Sequence, residues 1–221
     1  MAVGYRHSHA ILLLAGMAAA CASTEKRHAV SAPAVVVEDE PVTEEGWRDI
    51  ASAEDGDRLG RLDAAWTAAL AEAREKGFAD EIESEGELLD PDVALPRAAP
   101  PPGSYHCRVI KLGSQGKSPA FVAYKPFFCH VAAEDELLTI VKQTGSQRPA
   151  GRLYPESDER MIFLGTMALG DEEEPLPYGE DPERDMAGVV QRVAPFRYRL
   201  VVPWPRIESK LDVFELVPAT E

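Results

Sequence analysis

The sequence predicts a mainly β protein, a small antiparallel β-barrel preceded by an N-terminal amphipathic helix. Three observations favour this class. About eight short segments after residue 104 alternate apolar and polar side chains; Gly, Pro and acidic clusters separate the segments; and no helical period lies between them. About eight strands can close into a barrel and leave no exposed edge, so we favour the barrel over the alternative, a two-sheet β-sandwich.

The composition is globular, and the charge is strongly negative. Of the 221 residues, 45% are hydrophobic and 28% are charged, and the formal net charge is −15. A chain with this charge repels nucleic-acid backbones and anionic lipid headgroups. We therefore expect no nucleic-acid partner, and we expect any membrane attachment to come from a lipid anchor only.

An apolar run, "ILLLAGMAAAC", ends at Cys21. The run is shorter than the roughly 20 residues that a spanning helix needs, and its length is typical of a signal peptide, here residues 1–20. The small residues before Cys21 resemble a bacterial lipobox, after which the cysteine is lipidated; an ordinary signal peptide cleaved nearby is the alternative. We expect an exported lipoprotein of the outer membrane or periplasm, with a lipid-anchored flexible tether over residues 21–46.

Lipidation of Cys21 would leave Cys107 and Cys129 as an even pair. In an oxidising compartment such a pair predicts a disulfide. If the two cysteines lie on neighbouring antiparallel strands, pairing Cys107 with Cys129 fixes the register and places His106 opposite His130 on the other face.

The segment from residue 47 to residue 94 is predicted to be helical. Between Ser52 and Lys76, apolar residues recur at steps of three and four and form one face: Leu59, Leu62, Trp66, Leu70 and Ala73. Ser52 provides a start signal and Gly77 a stop signal, and a shorter helical turn is predicted over residues 79–89. The proline-rich stretch 95–103 predicts an extended connector, and residues 104–221 form the antiparallel β domain.

The predicted strands lie near residues 105–109, 127–131, 137–143, 150–154, 161–165, 186–193, 196–202 and 211–217. Five bulky aromatic residues are expected to fill the barrel and to leave little room for a ligand: Tyr105, Phe127, Phe163, Phe196 and Tyr198.

Five phrases of the chain carry a family resemblance: "GSYHCRVIKLGSQGK", "TGSQRPAGRLYP", "MIFLG", "LPYGEDPERDMAGVV" and "VVPWPRIESKLDVFELVPA". With them the chain resembles domain-of-unknown-function family 4893, uncharacterised exported proteins of sphingomonads and relatives, from about Trp47 to Pro218. This resemblance implies no activity and no catalytic residues. In architecture alone, a lipidated or secreted small barrel with one disulfide also resembles the bacterial alkaline-protease inhibitors and lysozyme inhibitors.

Several polar and aromatic residues are candidates for binding: Gln147, Arg148, Arg152, Tyr154, Tyr178 and Trp204. The first four surround two glycines and could form an anion or peptide-carboxylate pocket; the alternative is a turn between strands with exposed arginines. Trp204 could anchor a partner or close one end of the barrel. Tyr178, in the acidic loop 170–185, could likewise either contact a partner or pack within the fold.

Metal and catalytic signals are weak. His106 and His130 are weak metal candidates without a clear third ligand, and the acidic loop lacks a calcium-binding spacing, so we expect no metal and no cofactor. The sequence has no G-x-S-x-G motif. A hydrolase would need His130 with an acid and Ser146.

These patterns together favour a non-enzymatic binding or inhibitor-like module whose partner is an envelope protein. The alternatives are a small-ligand-binding barrel and, third, an envelope hydrolase.

Overall fold

The computed structural model describes residues 46–170 and 172–219. The predicted signal peptide, Cys21 and the tether up to residue 45 lie outside the described residues. The helices are α1 (Gly46–Ile50), α2 (Ala53–Gly60), α3 (Leu62–Glu75) and α4 (Ala79–Ser84), followed by a 3₁₀ turn at Gly86–Leu88. The strands are β1 (Gly103–Leu112), β2 (Phe121–Ala123), β3 (Phe127–Glu134), β4 (Leu137–Lys142), β5 (Gln147–Ser157), β6 (Arg160–Leu169), β7 (Asp185–Ala194), β8 (Arg197–Pro203) and β9 (Leu211–Pro218).

Eight of these strands form a closed antiparallel barrel. The order β1-β3-β4-β5-β6-β7-β8-β9 returns to β1, because β9 pairs with β1 along eight positions. The short strand β2 pairs only with the last residues of β1, beyond the part that β3 occupies. The predicted barrel is confirmed; β2 is too short to show an alternating pattern and was not predicted.

The barrel interior is filled by side chains that alternate with outward-facing ones. Phe163 lies at its centre and is fully buried. Gly151 and Gly165 are paired on β5 and β6, and a Cβ atom on either would come within 2.7 Å of the Phe163 ring. The two glycines therefore make room for the central aromatic ring.

Of the other aromatic residues that were predicted to fill the barrel, some lie inside it and one lies outside. Tyr105 and Tyr198 are buried and meet edge to face, with ring centroids 6.5 Å apart, and Phe127 is half-buried. Phe196 was predicted wrongly, since its side chain is 71% exposed. It has a φ of 54° in the turn between β7 and β8, so the strand begins one residue later, at Arg197.

The two cysteines lie on neighbouring strands and on the same face, within disulfide-bonding distance, their Cα atoms 6.0 Å apart. The predicted register is wrong by two residues: Cys129 lies opposite Tyr105, and Cys107 lies opposite Phe127. A disulfide also joins diagonal positions, so pairing does not require direct opposition. His106 consequently faces Phe128 rather than His130, with ring centroids 5.1 Å apart.

The helices cover the outside of the barrel, where their apolar face packs on outward residues of β1 and β6–β9. Ser52 caps α2 as predicted, because its hydroxyl accepts a hydrogen bond from the Asp55 amide at 3.1 Å. Gly77 ends the helical run with a φ of 92°. The single helix predicted between Ser52 and Lys76 is instead two helices, broken at Arg61 directly after the poor helix former Gly60.

Arg199 joins the helical layer to the barrel. The residue lies on the outer face of β8 and is fully buried, with its guanidinium carbon 5.1 Å from the centroid of the Trp66 ring. It donates to the Gln191 side chain and to four backbone carbonyls, those of Glu87, Leu88, Asp90 and Val93. Burial without a direct ion pair lowers the pKa of Arg199 to about 10.

Replacing Arg199 with Lys is expected to lower the free energy of unfolding by about 2–4 kcal/mol, because one ammonium group cannot reach carbonyls spread over residues 87–93. Urea unfolding followed by tryptophan fluorescence measures the loss. The matched control is Arg152→Lys, an exposed arginine that forms an ion pair with Glu134, which should change stability by less than about 0.5 kcal/mol. Equal losses in the two variants would contradict the role of Arg199.

Candidate functional site

One end of the barrel, which we call the mouth, contains a cavity of about 140 Å³. The mouth is the end where β1, β6 and β8 finish and where β5, β7 and β9 begin. A protein cavity of about 150 Å³ is known to hold benzene, so the space suits an apolar group of that size. The expectation that aromatic side chains leave little room is therefore wrong at the mouth, although it is correct around Phe163.

The apolar wall of the cavity comes from three neighbouring strands. Met167 of β6, Met186 of β7 and Val202 of β8 lie on the inward-facing positions of their strands and line the space. Leu169 and Ile207 complete the lining, and both are partly open to solvent, at 40% and 57% exposure. Unbranched methionine side chains adapt to ligands of different shape.

Charged side chains of both signs share the same lining. The cations are Arg58, Lys111, Arg184 and Arg206, and the carboxylates are Glu183, Asp185 and Asp212. Most of them are paired: Arg184 with Glu172 and Asp181, and Arg206 with Glu54.

Lys111 and Asp212 form a satisfied buried pair at the floor of the mouth. The lysine ammonium lies 2.8 Å from an Asp212 oxygen and 3.1 Å from Glu208, and the Ser209 hydroxyl donates to the other Asp212 oxygen. Burial alone would lower the pKa of Lys111, but the two carboxylates outweigh it and raise that pKa. Burial also raises the pKa of Asp212, against the opposing effect of Lys111 and of the Ser209 hydroxyl. The two groups therefore use each other as partners within the fold.

Asp185, by contrast, is a buried residue whose carboxylate has no ion pair within the part of the chain that the structure describes. Its side chain is at the start of β7 and the residue is 4% exposed. One oxygen accepts a hydrogen bond from the Gly179 amide at 3.0 Å, and among the described residues the other oxygen has no donor. Burial raises the pKa of Asp185; Asp55 and Asp181 add to this, while the Gly179 amide and the more distant Arg206 oppose it.

Arg58 is the matching buried cation. It lies on α2, which packs against β7, and the residue is 4% exposed. Its Nη2 donates to Asp55, whose carboxylate also accepts from Tyr178 at 2.5 Å. Neither Nη1 nor the buried Nε of Arg58 has an acceptor among the described side chains and carbonyls. Arg58 and Asp185 line one cavity, yet they form no ion pair with each other.

The sequence-predicted binding residues separate into different places. Gln147 lines the mouth cavity. Arg148 does not, because its guanidinium donates to the carbonyls of Gly145, Gly170 and Glu172, at 2.9 Å for the first and 2.5 Å for the last. Arg148 therefore joins two loops at the mouth.

Three further candidates, Arg152, Tyr154 and Tyr178, line an open groove of about 560 Å³ on the outer face of the barrel. Arg152 faces solvent and pairs with Glu134 at 3.3 Å. The Tyr178 hydroxyl is occupied by Asp55 and by the Ser52 amide, and burial raises the pKa of Tyr178 to about 12.

Trp204 follows β8 and is used inside the fold. Its indole N–H donates to the Arg61 carbonyl at 3.2 Å, and its ring lies 5.2 Å from the Arg61 guanidinium. The ring packs against the helical layer. Trp204 therefore connects the β8–β9 loop to the junction of α2 and α3.

The weak metal and hydrolase candidates do not come together. No group of three or more His, Cys, Asp or Glu side chains within residues 46–170 and 172–219 is arranged to hold a metal ion. No hydrogen bond joins His130 to Ser146 or to an acid in this described part of the chain. None of the described helices is long and apolar enough to cross a membrane.

Sequence reasoning missed the charged residues of the mouth: Arg58, Lys111, Asp185 and Asp212. Two of them carry a signal that could have been used. Lys111 continues the inward series of Cys107 and Val109, and Asp212 begins the inward series of Phe214, so each places a charge on an apolar face. No such signal distinguishes Asp185 from its acidic neighbours.

The fold and the mouth define a small antiparallel β-barrel protein with an outer helical layer and a cavity at one end. More specifically, the chain belongs to the family described as Domain of unknown function (DUF4893), whose model matches residues 47–216. No curated protein and no solved structure matches the chain.

Asp185→Asn is expected to stabilise the protein. Because the folded state raises the pKa of this carboxyl above 3.8, the free energy of unfolding falls as the pH rises through that raised value, and a neutral amide avoids the loss. We expect a gain of roughly 0.5–2 kcal/mol at pH 7 that shrinks towards pH 4. Urea unfolding across this range measures it.

The control for this prediction is Glu180→Gln, which neutralises an exposed carboxylate in the same loop and should leave stability unchanged at every pH. A loss of stability in Asp185→Asn at pH 7 would mean that Asp185 has a counter-ion and that the mouth is electrostatically satisfied.

Proposed function

We propose that this chain is a non-enzymatic binding protein that takes a small ligand at the mouth of its barrel. The observation that carries the proposal is the cavity of about 140 Å³, with an apolar wall on one side and charged groups around it. Binding sites for small molecules have this form, a mostly apolar pocket with a few convergent polar groups.

Docking of an envelope protein, as an inhibitor would dock, has less support. The residues expected to make such contacts are engaged within the fold: Trp204 with Arg61, Tyr178 with Asp55, and Arg148 with three carbonyls. Of the six sequence candidates, Gln147 is the one that lines the mouth cavity.

We also propose that the protein is exported and held at the outer membrane through lipid on Cys21. The support is the apolar run of signal-peptide length that ends at this cysteine. The pair Cys107–Cys129, at disulfide-bonding distance, suits an oxidising compartment.

Ligand binding is tested with 3-methylbutan-1-ol, a neutral probe small enough for the cavity. With ¹³C-methyl-labelled methionine, we expect the NMR signals of Met167 and Met186 to shift saturably, because both line the cavity, while Met161 stays still because it lies outside the lining. Val202→Phe, which fills the space, should abolish the shifts, and Val217→Phe, the same change at an exposed position, should not.

If Val202→Phe fails to fold, Leu169→Trp at the partly exposed rim provides the same test. Unmoved Met167 and Met186 signals, or equal shifts in the cavity-filling variant and the control, would contradict the proposed function.

The anchor is tested by Cys21→Ser in cells that express the full chain. Loss of the lipidated cysteine should move the protein from the membrane fraction to the soluble envelope fraction, because no described helix can span a membrane. Fractionation followed by immunoblotting measures the shift. Retention of Cys21→Ser in the membrane fraction would exclude the lipid anchor.

A further inference from the structure

Two buried charges of opposite sign line the mouth without meeting each other. Asp185 and Arg58 are each 4% exposed, one at the start of β7 and the other on α2, which packs on that strand. Each retains unused hydrogen-bonding capacity: one oxygen of Asp185 has no donor, and Nη1 of Arg58 has no acceptor, among the described residues.

Arg58 is paired with Asp55 through Nη2, yet its Nε is buried and has no acceptor among the described residues, and a buried polar atom without a hydrogen bond is costly. The pair Lys111–Asp212 at the same mouth shows the ordinary solution, with a direct contact at 2.8 Å. Arg58 and Asp185 line the same cavity without an ion pair between them, so a guest that contacts both would need an acceptor for the guanidinium and a donor for the carboxylate.

From this arrangement, and resting on the proposed ligand site, we infer that the mouth binds a small zwitterion with an apolar side chain, the chemistry of a free apolar α-amino acid. Its carboxylate accepts hydrogen bonds from Arg58, and its ammonium group donates to Asp185. Charge-assisted bonds of this kind are about twice as strong as neutral ones.

The rest of the lining agrees with this ligand. Met167, Met186 and Val202 form an apolar wall for a branched or unbranched aliphatic side chain. The mixed lining of four cations and three carboxylates favours neither a simple anion nor a simple cation. A molecule that carries one charge of each sign offers a donor to the free oxygen of Asp185 and an acceptor to Nη1 of Arg58.

The test compares leucine with two analogues that each lack one charge. These are 4-methylpentanoate, without the ammonium group, and 3-methylbutan-1-amine, without the carboxylate. Each is titrated at pH 7 into the full-length protein, and the Met167 and Met186 methyl signals are followed. We expect leucine to bind at least about tenfold more tightly than either analogue.

Two variants assign the charges to their residues. In Asp185→Asn, leucine should bind no more tightly than 4-methylpentanoate, but it should still bind more tightly than 3-methylbutan-1-amine. The second variant combines Arg58→Met with Asp55→Asn and so removes both members of the ion pair. In it, leucine should bind no more tightly than 3-methylbutan-1-amine, but it should still bind more tightly than 4-methylpentanoate. Glu180→Gln should retain both advantages.

The outcomes separate this inference from the proposed function. If 3-methylbutan-1-ol shifts the signals but leucine binds no more tightly than its analogues, the zwitterion inference is overturned and the ligand site stands. The inference also fails if Asp185→Asn leaves both advantages intact. If no probe shifts Met167 or Met186, both are overturned.

Discussion

The attachment of the helical layer to the barrel depends on one buried guanidinium, that of Arg199. A barrel face covered by helices needs something other than apolar contact to fix the helices in place, because apolar packing has little direction. Arg199 provides that direction, since it holds the carbonyls of Glu87, Leu88, Asp90 and Val93 against the outside of β8. The stacked Trp66 ring connects the same group to α3. The layer that carries α2, and with it Arg58, is therefore held to the barrel by hydrogen bonds as well as by packing.

The buried charged residues fall into two groups that differ in how fully their hydrogen bonds are satisfied. Arg199 and the Lys111–Asp212 pair have their hydrogen bonds satisfied within the protein, as stable folding requires. Arg58 and Asp185 are satisfied only in part, and they are found where the barrel is open. Local violations of otherwise consistent folding rules are expected at functional sites, because a binding site is stabilised by its ligand rather than by itself.

The period-two pattern was sufficient to predict the eight strands of the barrel and the common face of Cys107 and Cys129, and it favoured closure over a two-sheet sandwich. It could not predict the register, because a shift of two residues leaves every side chain on the same face. Phe196 continues the alternating sequence pattern of β8, although the residue lies in the turn between β7 and β8. The place of Arg58 in the mouth could not be predicted for another reason: Arg58 lines the cavity because α2 packs on β7, and the pattern of neither element shows that contact.

Because Arg58 reaches the cavity through the packing of α2 on β7, the helical segment does more than cover the barrel. A layer that merely covered apolar surface could be exchanged for any amphipathic helix, but α2 also contributes a residue to the cavity lining. Asp55 on the same helix pairs with Arg58 and accepts a hydrogen bond from Tyr178, so it connects α2 to the loop before β7. The family match covers the helices and the barrel together, residues 47–216. A cavity lined by residues of α2, of β7 and of the loop before β7 gives a physical reason why the two parts form one unit.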